Sequence, residues 1–257
     1  MEGELHPQDG ETVDAILDGR IRVIQRKRGY RFSLDALLLS HFTDLRNGDD
    51  LIDLGTGSGI IALILAQRFR CGRVLGIEIQ DELVAIAKRN VVLNGLAGRI
   101  EIRRGDVRCP ETLCGPQSFS AAVFNPPYRR LRSGRTNSDP EKAVARHEIE
   151  GTVADFLAAA VYALRPEGRV YAIYPAVRMA ELISRMRECR IEPKRLRLVH
   201  SRLDGGGEFV LVEGVKGGRE GLNVAPPLFI YQDAGVYTRE MTEIFRDLSA
   251  FPARGGG

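Results

Sequence analysis

The sequence contains no tryptophan, and it lacks an apolar run approaching the roughly 20 residues that a membrane-spanning helix needs. Its four cysteines are scattered and form no Cys-x-x-Cys pair. We therefore expect neither a disulfide framework nor a zinc site, and we predict no metal centre at all. The first 14 residues are acidic and carry no apolar signal region, so we expect a cytoplasmic protein.

The chain also lacks a large net charge, because its positive and negative residues nearly cancel to +3. Two segments are nevertheless strongly basic. Residues 20–31 carry arginine and lysine without any acid, and a second basic stretch spans residues 128–147. Such segments are either solvated surface or the footprint of a polyanion such as RNA. The candidate RNA-binding residues are Arg26, Lys27, Arg28, Arg129, Arg130, Arg132 and Arg135.

Apolar stretches of strand and helix length alternate through the middle of the chain. This pattern predicts an α/β fold with a mainly parallel sheet and helices on both faces. Residues 193–202 and 207–217 lack a helix between them, so we expect an antiparallel strand at that edge. We predict a core over residues 33–218, an N-terminal extension over 1–32 and a C-terminal extension over 219–257.

The N-terminal extension is expected to be loosely ordered over residues 1–19. A short basic strand pair with a corner at Gly29 and Tyr30 should follow it. Ser33 then stands where the capping residue of the first apolar helix belongs. The helix that begins near Glu150 is expected to close at Pro166 and Gly168.

The segment DLGTGSG, residues 53–59, lies between a predicted strand and a predicted helix. Its glycines allow a tight turn and a close approach of backbone to a ligand. Ile60 breaks the dinucleotide-binding pattern, and no Gly-Lys-Ser/Thr follows. Asp53 would repel phosphates but suits an ammonium group. Glu78, about 20 residues beyond the loop, can accept hydrogen bonds from ribose hydroxyls. A ligand with a ribose, an amino acid part and no phosphate is S-adenosylmethionine.

These residues resemble the cofactor motifs of seven-stranded, Rossmann-like class I methyltransferases. The resemblance implies that Gly55 and Gly57 hold the methionine part, Glu78 holds the ribose, and Asp106 reads the adenine. The full set of candidate cofactor residues is Phe32, Ser33, Asp35, Asp53, Gly55, Gly57, Gly59, Glu78, Ile79, Asp106, Val107 and Asn125.

The segment Asn125-Pro126-Pro127-Tyr128 follows the fourth core strand and is the candidate catalytic site. The prolines fix their own φ and force an extended backbone before them. The Asn125 oxygen and the Pro126 carbonyl can then accept from the two hydrogens of one exocyclic amine. That grip would aim the nitrogen lone pair at the methyl donor, while Tyr128 stacks on a flipped-out base. The corner resembles the motif of methyltransferases that act on planar nitrogens of adenine, cytosine, guanine or glutamine amides.

Three further segments resemble bacterial tRNA adenine-N6 methyltransferases that modify the adenosine beside the anticodon of a valine tRNA. They are RGYRFSLDALLLS (28–40), ARHE (145–148) and LVEGVKGG (211–218), and the tail YQDAGVYTREM (231–241) fits some members. The resemblance covers most of residues 20–240 and implies a tRNA substrate. It also places Phe32, Ser33, Asp35 and Ala36 beside the cofactor.

Three alternatives stay open: an enzyme for guanine N2 in rRNA, an enzyme for a protein glutamine amide, and a non-catalytic RNA-binding scaffold. The glutamine enzymes usually carry a helical domain ahead of the core, for which about 30 residues are too few. His147 is a candidate general base and Tyr30 a candidate second stacking ring, although both residue types are more often structural.

Overall fold

The computed structural model describes residues 7–28, 33–127 and 151–250 of the chain. Its elements, in chain order, are β1 (Glu11–Ile16), β2 (Ile21–Arg26), α1 (Leu34–Phe42), β3 (Leu51–Leu54), α2 (Ile60–Arg68), β4 (Val74–Glu78), α3 (Asp81–Leu93), β5 (Ile100–Arg104), β6 (Phe119–Phe124), α4 (Val153–Ala163), β7 (Leu164–Pro175), α5 (Met179–Glu188), β8 (Ile191–His200), β9 (Gly207–Lys216), β10 (Asn223–Val224), β11 (Leu228–Phe229), β12 (Tyr231–Asp233), β13 (Val236–Tyr237) and α6 (Arg239–Ser249).

The central sheet has the strand order β5-β4-β3-β6-β7-β9-β8, and the short strands β10 and β11 both pair with β8. Its pairs are parallel from β5 through β7, whereas β9 runs antiparallel to both of its neighbours. The predicted α/β class and the mostly parallel sheet are therefore confirmed. The antiparallel strand, however, lies one position inside the expected edge. Helix α5 carries the chain past one strand position to β8, and the turn after β8 returns β9 into the gap.

Helices cover both faces of this sheet, as expected. Successive residues of β6 alternate between two apolar clusters: Ala121 and Val123 pack in one, Ala122 and Phe124 in the other. The first cluster also holds residues of α1, α2, α3 and α6, whereas the second holds residues of α4 and α5. Because seven successive residues of α2, Ile60–Ala66, are buried, that helix lies at the centre of its layer.

The N-terminal strand pair differs from the expectation. Strands β1 and β2 form an antiparallel hairpin from Glu11 to Arg26, with a turn in which Leu17, Asp18 and Gly19 have positive φ. Its first strand thus lies in the stretch that we expected to be loosely ordered. The buried side chains Leu17, Ile21, Val23 and Ile24 show that packing stabilises this hairpin. The expected corner at Gly29 and Tyr30 lies outside the described residues.

Ser33 stands at the N-cap of α1, as predicted, but its side chain makes no capping hydrogen bond. The predicted end of the helix that begins near Glu150 needs correction. Helix α4 ends at Ala163, because Leu164 already adopts an extended conformation and pairs with Phe119 of β6. Among the described residues, no helix is long and apolar enough to cross a lipid bilayer.

Candidate active site

The ends of three neighbouring strands bring the main predicted site residues side by side. Leu54 of β3 pairs with Ile77 of β4 and with Phe124 of β6. The next residue of each strand is therefore Gly55, Glu78 or Asn125, in one row at the carboxyl edge. Adjacent strands lie about 4.8 Å apart, so this row spans roughly 10 Å. Ligands of open α/β sheets bind at this edge.

The glycine loop begins directly after β3 and ends at the first turn of α2. Gly55, Gly57 and Gly59 all have positive φ, at 70°, 59° and 85°. A Cβ atom on Gly55 would lie 3.0 Å from the Phe156 ring of α4, which is tighter than ordinary contact. At Gly55, glycine is therefore required both by the backbone conformation and by the neighbouring ring.

Glu78 ties the end of β4 to the glycine loop. Its carboxylate accepts a hydrogen bond from the Gly57 amide at 2.9 Å, and bonds from the Ile79 and Gln80 amides at 2.9 and 3.0 Å. The residue is only 5% exposed. These backbone donors fix a negative charge beside the loop, at the strand position expected for the acid that binds ribose.

Asp53 is fully buried beneath the loop. One carboxyl oxygen accepts from the Thr56 hydroxyl at 2.6 Å, whereas Oδ1 has no hydrogen-bond partner among the described residues. Burial, with a smaller contribution from the nearby Glu78 charge, raises the pKa of Asp53 to about 7 against the lowering effect of the Thr56 hydroxyl and the Ala62 amide. A cation at this place would favour the ionised form of Asp53.

The asparagine corner lies beside the glycine loop. Asn125 follows β6, and its Oδ1 is buried with no partner in the described part of the chain. Pro126 is buried and Pro127 is exposed, so the corner reaches the surface within two residues. Tyr128, the predicted stacking residue, lies outside the described residues, as do His147 and the arginines at 129, 130, 132 and 135.

Within the described residues, three buried polar atoms at or next to the ends of β3 and β6 have no hydrogen-bond partner: Asp53 Oδ1, Ser58 Oγ and Asn125 Oδ1. Buried polar groups are nearly always paired, and leaving one unpaired costs about 1–3 kcal/mol. The oxygens of Asp53 and Asn125 are hydrogen-bond acceptors, and they match a ligand that carries ammonium or amine hydrogens. The residues present therefore fit a polar ligand such as S-adenosylmethionine.

Asp106 lies two residues beyond β5, where Arg104 pairs with Glu78 of β4. It accepts hydrogen bonds from the Arg108 guanidinium and the Arg108 amide, and those bonds lower the pKa of Asp106. Val107 is buried, and a Cβ on Gly151 would lie 3.0 Å from it. Asp106 is thus ionised and partly exposed, and it lies next to the start of α4.

The remaining predicted residues lie on α1, at the end of β2 or outside the described residues. Ser33 is half-buried and Asp35 is buried in the first turn of α1, which packs on α2. Phe32 lies outside the described residues. Arg26 pairs with Glu82 at the start of α3, and Lys27 and Arg28 are exposed. No group of three or more potential metal ligands occurs within residues 7–28, 33–127 and 151–250.

Two site residues escaped the sequence analysis. Phe156 of α4 packs against Gly55 and lies 5.6 Å, between ring centroids, from Phe124. Asn90 of α3 donates to the carbonyl of Ser58 in the glycine loop at 2.9 Å. Both lie far from the loop in sequence and within ordinary amphipathic helices. No local pattern marks them, since only the packing of the helices against the loop gives them their place.

Comparison with known proteins agrees with this geometry. The family model described as "Methyltransferase small domain" matches residues 34–188. The chain is 37% identical over 154 residues to a tRNA1(Val) (adenine(37)-N6)-methyltransferase from Porphyromonas gingivalis. This match covers 59% of this chain and 57% of that protein. A protein of the same description from Actinobacillus succinogenes is 26% identical over 234 residues, 89% of this chain and 94% of that one.

A solved structure shows the same fold. It is described as a predicted O-methyltransferase from Agrobacterium tumefaciens, and it has a TM-score of 0.68 at 22% identity. The match covers 86% of this chain and 100% of that one. At this identity the likeness shows the fold alone. Because the family model spans more than half of the sequence, the chain belongs to the methyltransferase small domain family.

Proposed function

We propose that the protein transfers a methyl group from S-adenosylmethionine to the exocyclic N6 amine of an adenine in tRNA. The observation that carries this proposal is the buried Oδ1 of Asn125, which has no hydrogen-bond partner among the described residues and lies one strand away from the glycine loop. Membership of a methyltransferase family supports the reaction type. The relatives described as tRNA1(Val) (adenine(37)-N6)-methyltransferases support the substrate.

The cofactor would lie along the carboxyl edge and supplies a methyl group bonded to a cationic sulfur. Asp53 and the glycine loop would hold its methionine part, since Asp53 Oδ1 has no other partner in the described chain. Glu78, fixed by three backbone amides, would accept from the ribose hydroxyls. Asp106 would accept from the adenine amine, with Arg108 holding the carboxylate ionised.

Asn125 and the Pro126 carbonyl would hold the target amine by its two hydrogens. An aromatic amine is a weak nucleophile because its lone pair is delocalised into the ring. Two fixed acceptors favour a pyramidal nitrogen and aim its lone pair toward the methyl group, which requires no strong base. Pro126 and Pro127 restrict the backbone, so the acceptors are positioned before the base arrives. Tyr128 would stack on the flipped base.

RNA would contact the two basic segments of the sequence, residues 20–31 and 128–147. Lys27 and Arg28 are exposed at the end of β2, and Arg26 forms an ion pair with Glu82. The second segment supplies the predicted contacts Arg129, Arg130, Arg132 and Arg135. Phosphate contacts of this kind position the RNA without reading its sequence.

Two further statements belong to this proposal. A tRNA substrate implies a cytoplasmic enzyme. The division into an N-terminal extension (1–32), a methyltransferase core (33–218) and a C-terminal extension (219–257) assigns cofactor binding to the core and leaves part of the RNA contact to the β1–β2 hairpin.

The test is incubation of the protein with methyl-labelled cofactor and separate pools of tRNA, rRNA, DNA and a release factor. The proposal expects label in tRNA, and nucleoside analysis should identify it as N6-methyladenosine. Label in rRNA as N2-methylguanosine, or in a glutamine of the release factor, would replace it with one of the alternative substrates. Cofactor binding without transfer to any pool would favour the non-catalytic scaffold.

A further inference from the structure

Two asparagines of α3, four residues apart, hold strand β2 by its backbone. Asn94 accepts from the Arg22 amide at 3.0 Å and donates to the Arg22 carbonyl at 2.7 Å. Asn90 accepts from the Ile24 amide at 2.6 Å and donates to the Ile24 carbonyl at 3.1 Å. Each side-chain amide thus bonds the backbone of β2 as a neighbouring strand would.

The second amide hydrogen of Asn94 stays within α3 and donates to the Asn90 carbonyl at 2.7 Å, whereas that of Asn90 reaches outside the helix. The Asn90 hydrogen donates to the Ser58 carbonyl in the glycine loop at 2.9 Å. Asn90 is fully buried, so a lost partner could not be replaced by water. A Cβ on Gly59, the next residue of the loop, would lie 3.5 Å from Ala87, one turn earlier on α3. The glycine loop therefore rests on the same part of α3 that holds β2.

The hairpin has few alternative positions on α3. Ile24 packs with Leu83 and Ile86 in one apolar cluster. The Arg89 guanidinium donates to both carboxyl oxygens of Glu11 at 2.9 Å. Although burial acts to raise the pKa of Glu11, the bonds from Arg89 and the Gln8 amide hold it below its usual value. A displacement of Ser58 would thus move the Asn90 amide and, through it, the backbone of Ile24, which lies two residues before Arg26.

On the basis of the proposed function, we infer that Asn90 is a positioning residue that couples cofactor binding at the glycine loop to RNA binding at the basic end of β2. A ligand that fixes the Ser58 carbonyl fixes the Asn90 amide, and with it the strand that presents Lys27 and Arg28. Such coupling is reciprocal, so RNA should tighten cofactor binding by the same factor as the cofactor tightens RNA binding.

Calorimetry tests this inference through the dissociation constant of S-adenosylhomocysteine, measured with and without a saturating unmodified valine tRNA transcript. We expect the RNA to lower that constant about fivefold or more in the wild type, the usual lower range of such couplings. In Asn90→Ala the ratio should fall to about one, while Asn94→Ala, which also loosens β2, should keep most of it. A ratio of one in the wild type, or an undiminished ratio in Asn90→Ala, would overturn the inference.

A second measurement uses only the wild type, and so does not depend on the folding of a variant. Addition of S-adenosylhomocysteine should slow hydrogen exchange of the Ile24 amide, which donates to Asn90. Amides of the β8–β9 pair serve as the reference. Binding of the ligand without protection of Ile24 would overturn the coupling and leave the proposed function intact. Failure of the ligand to bind at all would overturn both.

Discussion

At the scale of single residues, the candidate site contains buried polar groups that lack hydrogen-bond partners within the described part of the chain. Asn125 and Asp53 each keep one side-chain oxygen without a partner in the described chain. Such atoms reduce the stability of the fold, and they persist where a ligand uses them. The two residues are proposed to act on different ligands, so their substitutions should have different effects.

Asn125→Ala should lower the rate of methyl transfer by about 100-fold or more, because it removes one of the two acceptors that orient the amine. The affinity for S-adenosylhomocysteine should stay unchanged, since the main residues proposed to hold the cofactor, Asp53, Glu78 and Asp106, lie at or just beyond the ends of other strands. Single-turnover kinetics and calorimetry measure the two quantities. The exposed Asn223 offers a matched control, Asn223→Ala. Retention of full transfer by Asn125→Ala would refute the amine-holding role.

Asp53 should make cofactor binding dependent on pH. Its pKa is raised to about 7 by burial, whereas a cofactor ammonium favours the carboxylate. Below pH 7 binding must therefore release a proton, and affinity should fall up to about tenfold per pH unit. Calorimetry at pH 6 in buffers of different ionisation enthalpy should detect that proton. Asp53→Asn should abolish the proton release; a proton still released by this variant would assign the effect to another group.

The same pKa predicts how the ligand-free protein responds to pH. A carboxyl whose pKa is higher in the folded than in the unfolded chain stabilises the fold when protonated. The contribution of Asp53 is therefore complete below its ordinary value of 3.8 and is lost as the pH rises through about 7. Chemical denaturation of wild type and Asp53→Asn across this range should show a difference in unfolding free energy that grows toward pH 7.

At the scale of elements, the glycine loop and helix α4 depend on each other. The sequence identified the loop from its glycines and from the strand before it. It could not show that Phe156 closes against Gly55, because the helical pattern of α4 fixes which residues are buried but not which loop they meet. A side chain at Gly55 would have to displace the Phe156 ring, in addition to the strain of its positive φ.

Gly55→Ala should weaken cofactor binding and lower the unfolding free energy by more than the ~1–2 kcal/mol expected from a left-handed residue alone. The matched control is Gly48→Ala, because Gly48 has a φ of 82° but no atom within 4 Å of its Cβ position. Replacing Phe156 by Leu in the Gly55→Ala background should restore part of the loss. Equal losses at the two glycines would show that the Phe156 contact has no effect.

The β1–β2 hairpin presents the described part of the basic surface. Changing both Lys27 and Arg28 to Glu should weaken tRNA binding and reduce the slope of log affinity against log salt by about two. The stability should change little, since both side chains are exposed. A control of equal charge, Arg70→Glu with Arg190→Glu, alters exposed arginines beside the amino ends of the strands. Equal loss of affinity in both double variants would show a general charge effect instead of a binding surface.

At the scale of the whole molecule, the sequence predicted the α/β architecture better than the bounds and positions of individual helices and strands. Alternating strands and helices identified the parallel sheet, and the motifs fell at the ends of the strands expected to be neighbours. The position of β9 inside the sheet was not predictable, because local pattern shows that two strands form a hairpin but not on which side the second one lies. Strand β1 was missed because it carries several polar residues and is held by its pairing with β2, which its own sequence does not show.

The row of Gly55, Glu78 and Asn125 was predictable for a topological reason: parallel strands end at one edge. The contacts of Asn90 and Phe156 were not, since they join segments more than 30 residues from the loop. The substrate came from neither spacing nor geometry. The proposed tRNA substrate rests on the likeness to relatives described as tRNA1(Val) (adenine(37)-N6)-methyltransferases, and a direct measurement tests it.

That measurement is nucleoside analysis of an unmodified valine tRNA transcript after incubation with the protein and S-adenosylmethionine. The account predicts N6-methyladenosine as the new nucleoside with the wild-type chain, and its loss with Asn125→Ala while cofactor binding persists. A transcript that stays unmodified, although the wild-type chain binds the cofactor and methylates rRNA or a release factor, would contradict it.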